Sequence, residues 1–426
     1  MNHFFLFLAL TASIIACAQN SINNINAKEV ERIEKILASD DMEGRQAGQK
    51  GSDKAAEFIA AEFKRAGLQT LKNSTGYLQP FKLIEAKAVE VKGELDDKKF
   101  DSSKIFILTT KQSLEIDEKS GYEYKTIPAG ANMMQAAYNI INEEKKVIVF
   151  VDESYASLFS RLNRFVRPVF ESDASTVFIL SNNKPAKFKI KAKHQIKEVP
   201  MANVVGILPG KTKPNEYVIF SAHYDHLGTG KPVNGDSIFN GANDDAAGTT
   251  AVIMLADYFK KLNNNQRTLV FTTFTAEEIG GFGSQYFSKQ FDPKQVMAMF
   301  NIEMIGTESK RGKNSAYITG YEKTDMGKIL QNNLKGTSFT FYPDPYPEQD
   351  LFYRSDNATL ARLGVPAHTI STSKMDSEKY YHSVDDEVEH LDLNNMAAII
   401  RAIAESSKTI VDGKDSPARV NTKDLR

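Results

Sequence analysis

From residue 201 onward the chain repeats one pattern: a short apolar run without charge, a polar loop, then a helical stretch. The runs are Val218–Ala222 (VIFSA), Thr268–Phe274 (TLVFTTF), Val296–Ile302 (VMAMFNI) and Ala316–Thr319 (AYIT). A strand with no charge on either face must be covered on both faces. Helical spacing between the runs supplies the cover. Residues 246–262 turn Val252, Ile253, Leu255, Ala256 and Phe259 to one side, and another helix starts near Leu393. The alternation predicts an α/β fold with a mixed, mostly parallel central sheet and helices on both faces. Such sheets bind ligands at the carboxyl ends of their strands.

Polar residues stand at those ends. His223-Tyr224-Asp225-His226 follows the first run, and Asn240–Asp245 precedes the 246–262 helix. Glu277-Glu278 follows the second run, Glu303 the third, and Tyr380-Tyr381-His382 opens a loop near the C-terminus. Imidazoles and carboxylates without thiolates suit a divalent metal with mixed N/O ligands, chiefly zinc. Charge balance favours two ions: three ligating carboxylates and one bridging hydroxide neutralise two Zn²⁺. Asp225, two residues past His223, is placed to accept the other imidazole N–H. Glu277 and Glu278 point to different sides, so one can hold metal while the other serves as general base.

Upstream, residues 27–37 set Val30, Ile33, Ile36 and Leu37 at helical spacing. A second helix, about 53–66, buries Phe58, Ile59 and Phe63 and stops at Gly67. Between 81 and 200, short runs such as IFILTT, VIVFVD and TVFIL alternate with Lys-rich connections, which predicts an inserted β-rich domain. The expected division is a leader over 1–18, N-terminal helices over 19–80, the insert over 81–200 and the main domain over 201–426.

The run Phe4–Ala18 is too short for a ~30 Å hydrocarbon core but fits a signal peptide. Ile14-Ile15-Ala16-Cys17 fits a bacterial lipobox, which predicts a lipid anchor at Cys17; Ala16-Cys17-Ala18 offers ordinary cleavage and free secretion instead. Either way the protein is expected outside the cytoplasm, periplasmic or at the cell surface. Cys17 is the only cysteine, so there is no disulfide framework. The net charge of −1 removes the electrostatic case for nucleic acid.

In order and spacing these motifs resemble those of the M28 family of zinc peptidases, whose characterised members are mostly aminopeptidases. Leu37–Gly48 (LASDDMEGRQAG) resembles the family's opening motif, and His223-x-Asp225 its first ligand motif. Gly241–Gly248 (GANDDAAG) resembles the loop of the bridging aspartate, which falls on Asp244. Glu277-Glu278 resembles the base-and-ligand pair, Asn301–Gly306 (NIEMIG) the next ligand motif, and Tyr381-His382 with Asp386 the last. The resemblance covers the chain after the leader, except the insert, where the family sometimes carries a protease-associated domain. It implies two zinc ions on His223, Asp244, Glu278, Glu303 and His382, with Glu277 as general base, Asp225 supporting His223 and Tyr381 facing the oxyanion. Two departures stand out. Glu303 replaces the commoner Asp, one methylene longer, and Val384 stands where Pro is frequent.

Arg354-Ser355-Asp356 resembles a segment near the family's substrate pocket. Asp245 is expected to support its loop, and His226 to pack or to orient a ligand. His194, His368 and His390 lack any motif context, and the sequons at Asn73 and Asn357 read as chance. The function implied is an exported di-zinc aminopeptidase acting on peptides. Alternatives are a carboxypeptidase or dipeptidase on the same scaffold, a one-zinc glutaminyl cyclase, and a non-catalytic surface binding module.

Overall fold

A computed structural model describes residues 22–72, 74 and 76–426. The leader with Cys17 and the sequon residue Asn73 lie outside the described residues. Among the described residues no helix is long and apolar enough to cross a membrane. The chain divides into two compact units, residues up to Pro80 with Ala202–Arg426, and Phe81–Met201.

The sheet of the first unit takes the end of β1 (Phe188–Leu208), then β2 (Lys213–His223), β3 (Arg267–Phe274) and β4 (Val296–Ile302). It continues through β5 (Ser315–Ile318), β6 (Thr340–Pro343) and β7 (Ala367–Ser371). Their spatial order is β6-β5-β7-β4-β2-β3-β1. The β2–β3, β2–β4, β4–β7 and β5–β6 pairs are parallel, whereas β1–β3 and β5–β7 are antiparallel. The sheet is mixed and mostly parallel, as the charge-free runs require.

Register explains the packing. Phe220 of β2 pairs with Phe271 of β3 and Phe300 of β4, so three phenyl rings form one row across the sheet. Their centroids lie 5.5 and 4.9 Å from that of Phe220, and Phe259 of the helix Ala247–Leu262 stacks on it at 5.3 Å. The adjacent residues Ile219, Val270 and Met299 face the other side with Phe274, Phe287 and Leu360, where short helices Phe282–Ser288 and Asn357–Ala361 cover them.

Asn26 caps the helix Ala27–Leu37, its side chain accepting the N–H groups of Lys28 and Glu29. The helix Lys50–Ala66 ends at Gly67, whose φ of 77° suits glycine. Both pack into the core cluster of the Ala247–Leu262 face. One residue breaks the apolar stripe. Glu34 is fully buried, and neither carboxylate oxygen has a hydrogen-bond partner. Burial pushes its carboxyl up to about 8, against the pull of the nearby Thr250 hydroxyl and of Arg45 and with a further push from Asp386.

The second unit contains a four-stranded sheet ordered Ile105–Thr109, Ser175–Leu180, Lys146–Val151, Glu123–Ile127. Two of its pairs are parallel. A parallel pair needs a crossover, and the helix Met133–Ile141 provides it between Glu123–Ile127 and Lys146–Val151. The unit is therefore α/β rather than only β-rich. This nine-residue helix, buried at Met133, Ala137 and Ile140, is too short for its period to stand out in the sequence.

Glu34 gives a test with a defined sign. Its native pKa lies above the unfolded value near 4.5, so stability falls as pH rises from about 4.5 through 8. Glu34→Gln removes that loss. Thermal melts should show the variant gaining on wild type between pH 5 and 9, with a slope up to ~1.4 kcal/mol per pH unit. A pH-independent difference would contradict the burial argument.

Candidate metal centre

β2 and β3 end side by side, with His223 paired to Phe274, and β4 ends at Ile302. Their loops thus deliver His223, Glu277-Glu278 and Glu303 to one edge. Two further segments converge there, the Asp244 loop and the C-terminal loop with His382. The two oxygens of Asp244 face different partners. His223 Nε2 lies 3.2 Å from Oδ1, and His382 Nε2 lies 3.3 Å from Oδ2. Glu278 shares the second side, its Oε2 3.2 Å from His382 Nε2. Glu277, Glu278, Glu303, Asp244 and Tyr381 line one open pocket with Arg354 and Ser355. Asp356 is buried outside this lining.

Asp225 behaves differently from the sequence expectation. His223 Nδ1 lies 3.1 Å from the main-chain oxygen of Asp225, while the Asp225 carboxylate is 3.8 Å away. That carboxylate instead accepts the N–H of Glu277 at 3.1 Å. It fixes the start of the Glu277-Glu278 segment, and the backbone orients His223.

The loops are tied through buried peptide groups. Asp245 accepts the N–H groups of His223 (3.3 Å), Gly248 (3.0 Å) and Met304 (2.9 Å), linking three loops through one carboxylate. Asp386 accepts those of Asn243 and Asp244 at 2.9 and 3.0 Å. Arg45 is fully buried and donates to the carbonyls of Leu37, Tyr224, Asn240 and Gly241. Its role was not read from the opening motif. A lone arginine in a polar stretch carries no signal that it will be buried. Ala276, Met304 and His382 adopt φ of 62°, 51° and 53°, a left-handed conformation uncommon outside glycine, each next to or at a candidate site residue.

The carboxylates are crowded. Burial drives Glu277 well above the usual carboxylate range despite His223, with Glu303, Asp356 and Glu278 adding to the rise. Burial likewise pushes Asp225 and Glu303 up to about 7. Asp244 is held low against its burial by His223 and His382. Hydrogen bonds that His382 donates to Asp244 and Glu278 raise it to about 10. Crowded acids with this little compensating charge fit a bound cation. The donor chemistry agrees: Glu303 Oε2 and His223 Nε2 are buried with no hydrogen-bond partner.

His368 is buried and His390 exposed, and each bonds to a main-chain carbonyl. His368 bonds to the Thr319 carbonyl and the Thr324 hydroxyl, both at 2.8 Å, and His390 to the Asp385 carbonyl. Asn357 is buried, with its amide donating to Phe352 and Ala367, so its sequon is inaccessible.

A pocket of carboxylates and imidazoles at the carboxyl edge of a mostly parallel sheet defines the class, an α/β domain with a candidate divalent-metal site. Residues 203–407, the stretch that carries every candidate ligand, match the model of Peptidase family M28. A protein named "Probable leucine aminopeptidase" from Trichophyton verrucosum (strain HKI 0517) is 30% identical over 203 residues, 46% of this chain and 53% of that protein. The chain spans about half the length of such curated relatives. The aminopeptidase from Aneurinibacillus sp. strain AM-1 has a similar fold, with TM-score 0.55 and 16% identity over 96% of this chain and 98% of that one. BSAP, a zinc aminopeptidase from Bacillus subtilis, gives TM-score 0.55 and 16% identity over 94% and 97%. At such identity these structures establish the fold.

Asp245→Ala leaves three buried N–H groups without acceptors, each costing ~1–3 kcal/mol. Denaturant unfolding of the metal-free protein should show a loss of about 3 kcal/mol or more. A loss below about 1 kcal/mol would mean the three loops are held by other contacts.

Proposed function

We propose that the protein is an exported di-zinc aminopeptidase that removes N-terminal residues from peptides. The observation that carries this reading is the division of Asp244, with His223 on one oxygen and His382 and Glu278 on the other. His223, Asp244 and Glu303 would hold one ion, and Asp244, Glu278 and His382 the second. Zinc bound there supplies Lewis-acid polarisation and water activation near neutral pH.

The chain's own residues account for the rest. Glu277 takes the proton of the attacking water and returns it to the departing amine, a role suited to a carboxyl whose pKa is raised. Asp225 holds the Glu277 backbone for that transfer. Tyr381, in the pocket lining, donates its hydroxyl proton in a hydrogen bond to the developing oxyanion. Met304, Leu351 and Met375 in the lining offer apolar contact to the substrate's side chain. The similarity to proteins named as aminopeptidases supports the same reaction, and the leader supports export. A carboxypeptidase or dipeptidase remains the second reading, because Arg354 in the lining can pair with a carboxylate.

One peptide in free, N-acetylated and C-amidated forms tests the reading, with products followed by mass spectrometry. Stepwise loss from the N-terminus, blocked by acetylation and by chelation, is expected. Cleavage that ignores acetylation and fails after amidation would replace the aminopeptidase by a carboxypeptidase. Glu277→Gln should lower kcat by ~10²–10⁴-fold with zinc content unchanged; loss of zinc there would move Glu277 from base to ligand. Glu303→Asp should keep both zinc and turnover, and complete inactivation would show a site tuned to the longer side chain.

A further inference from the structure

His226 has no role in the reaction described above, yet it is buried against the candidate ligands. Its Nδ1 lies 2.7 Å from Glu278 Oε1 and 3.8 Å from Asp244 Oδ2. Its ring meets that of His382 edge-on, with centroids 5.7 Å apart. A slot holds it in place. Gly241 has φ +56°, and a Cβ there would stand 2.5 Å from His226 Cδ2 and 2.6 Å from Cγ. The main chain is fixed as well, since the His226 N–H donates to the Arg45 carbonyl at 3.3 Å.

The hydrogen-bond inventory assigns the tautomer. Nε2 is buried with no partner. A proton there would be a buried donor without an acceptor, whereas a bare ring nitrogen costs less, so the proton belongs on Nδ1. Nδ1–H then donates to Glu278 Oε1 and is not free to ligate metal. Glu278 is left with Oε2 turned toward His382.

We infer that His226 is a positioning residue for Glu278: its Nδ1–H fixes one carboxylate oxygen so that the other faces the ion shared with Asp244 and His382. The inference rests on the di-zinc reading. Residues that orient a metal-binding carboxylate typically contribute ~10–100-fold in affinity.

Zinc binding to the full-length protein, measured by competition with a chromophoric chelator, provides a readout independent of turnover. His226→Ala should weaken one of the two ions by ~10–100-fold and leave the other near wild type. His226→Asn places an amide N–H near the Nδ1 position and should restore the weakened ion to within about threefold. His226→Gln reaches the Nε2 position instead and should stay weak, which keeps the test open if the alanine variant fails to fold. Wild-type affinity for both ions in His226→Ala, or in His226→Gln, would overturn the inference alone. So would an asparagine variant no better than alanine. Absence of zinc binding by the wild type would instead overturn the di-zinc reading and this inference with it.

Discussion

A loop that carries a charged ligand into the interior must first satisfy its own peptide groups, and the segment around Asp244 is built on that constraint. Its carbonyls at Asn240 and Gly241 are taken by Arg45, its N–H groups at Asn243 and Asp244 by Asp386, and its Gly248 N–H by Asp245. These partners come from the opening motif, the C-terminal loop and the loop itself. Two distant stretches of sequence, together with the loop's own Asp245, are therefore needed to place one carboxylate. The buried guanidinium of Arg45 also reaches the carbonyl of Tyr224, so the segments on either side of the centre share a single cation.

The same arrangement sets the electrostatics. Asp244, Asp245, Asp225, Glu277, Glu278 and Glu303 crowd into a small volume, and burial alone disfavours their ionisation. Histidines offset part of the charge. The remainder fits divalent cations, which links the packing of strand-end loops to the capacity to hold metal. The aromatic row of Phe220, Phe271 and Phe300 lies in the sheet beneath and sets the register that brings His223 beside Phe274. Core packing and site geometry are two consequences of one pairing pattern.

Much of this was legible in the sequence. The charge-free runs gave the sheet, and Val296–Ile302 is bounded as read. Strand ends drew attention to the ligands because an α/β sheet opens at its carboxyl edge. What stayed hidden depends on tertiary partners. Nothing local marks Arg45 as buried, or Glu34 as a carboxyl inside an amphipathic stripe. The choice between the Asp225 carboxylate and its main-chain oxygen turns on a difference of 0.7 Å that spacing cannot express, and a residue at i+2 suits either. For His226 the sequence left packing and ligand orientation both open, because a histidine beside a ligand motif has no signature that separates the two.

Anomalous diffraction at the zinc edge, from crystals grown with excess zinc, tests the central claim most directly. The account predicts two peaks on either side of the Asp244 carboxylate, one beside His223 and Glu303 and the other beside Glu278 and His382. A single peak, or two peaks that leave Asp244 bound to one ion only, would contradict it.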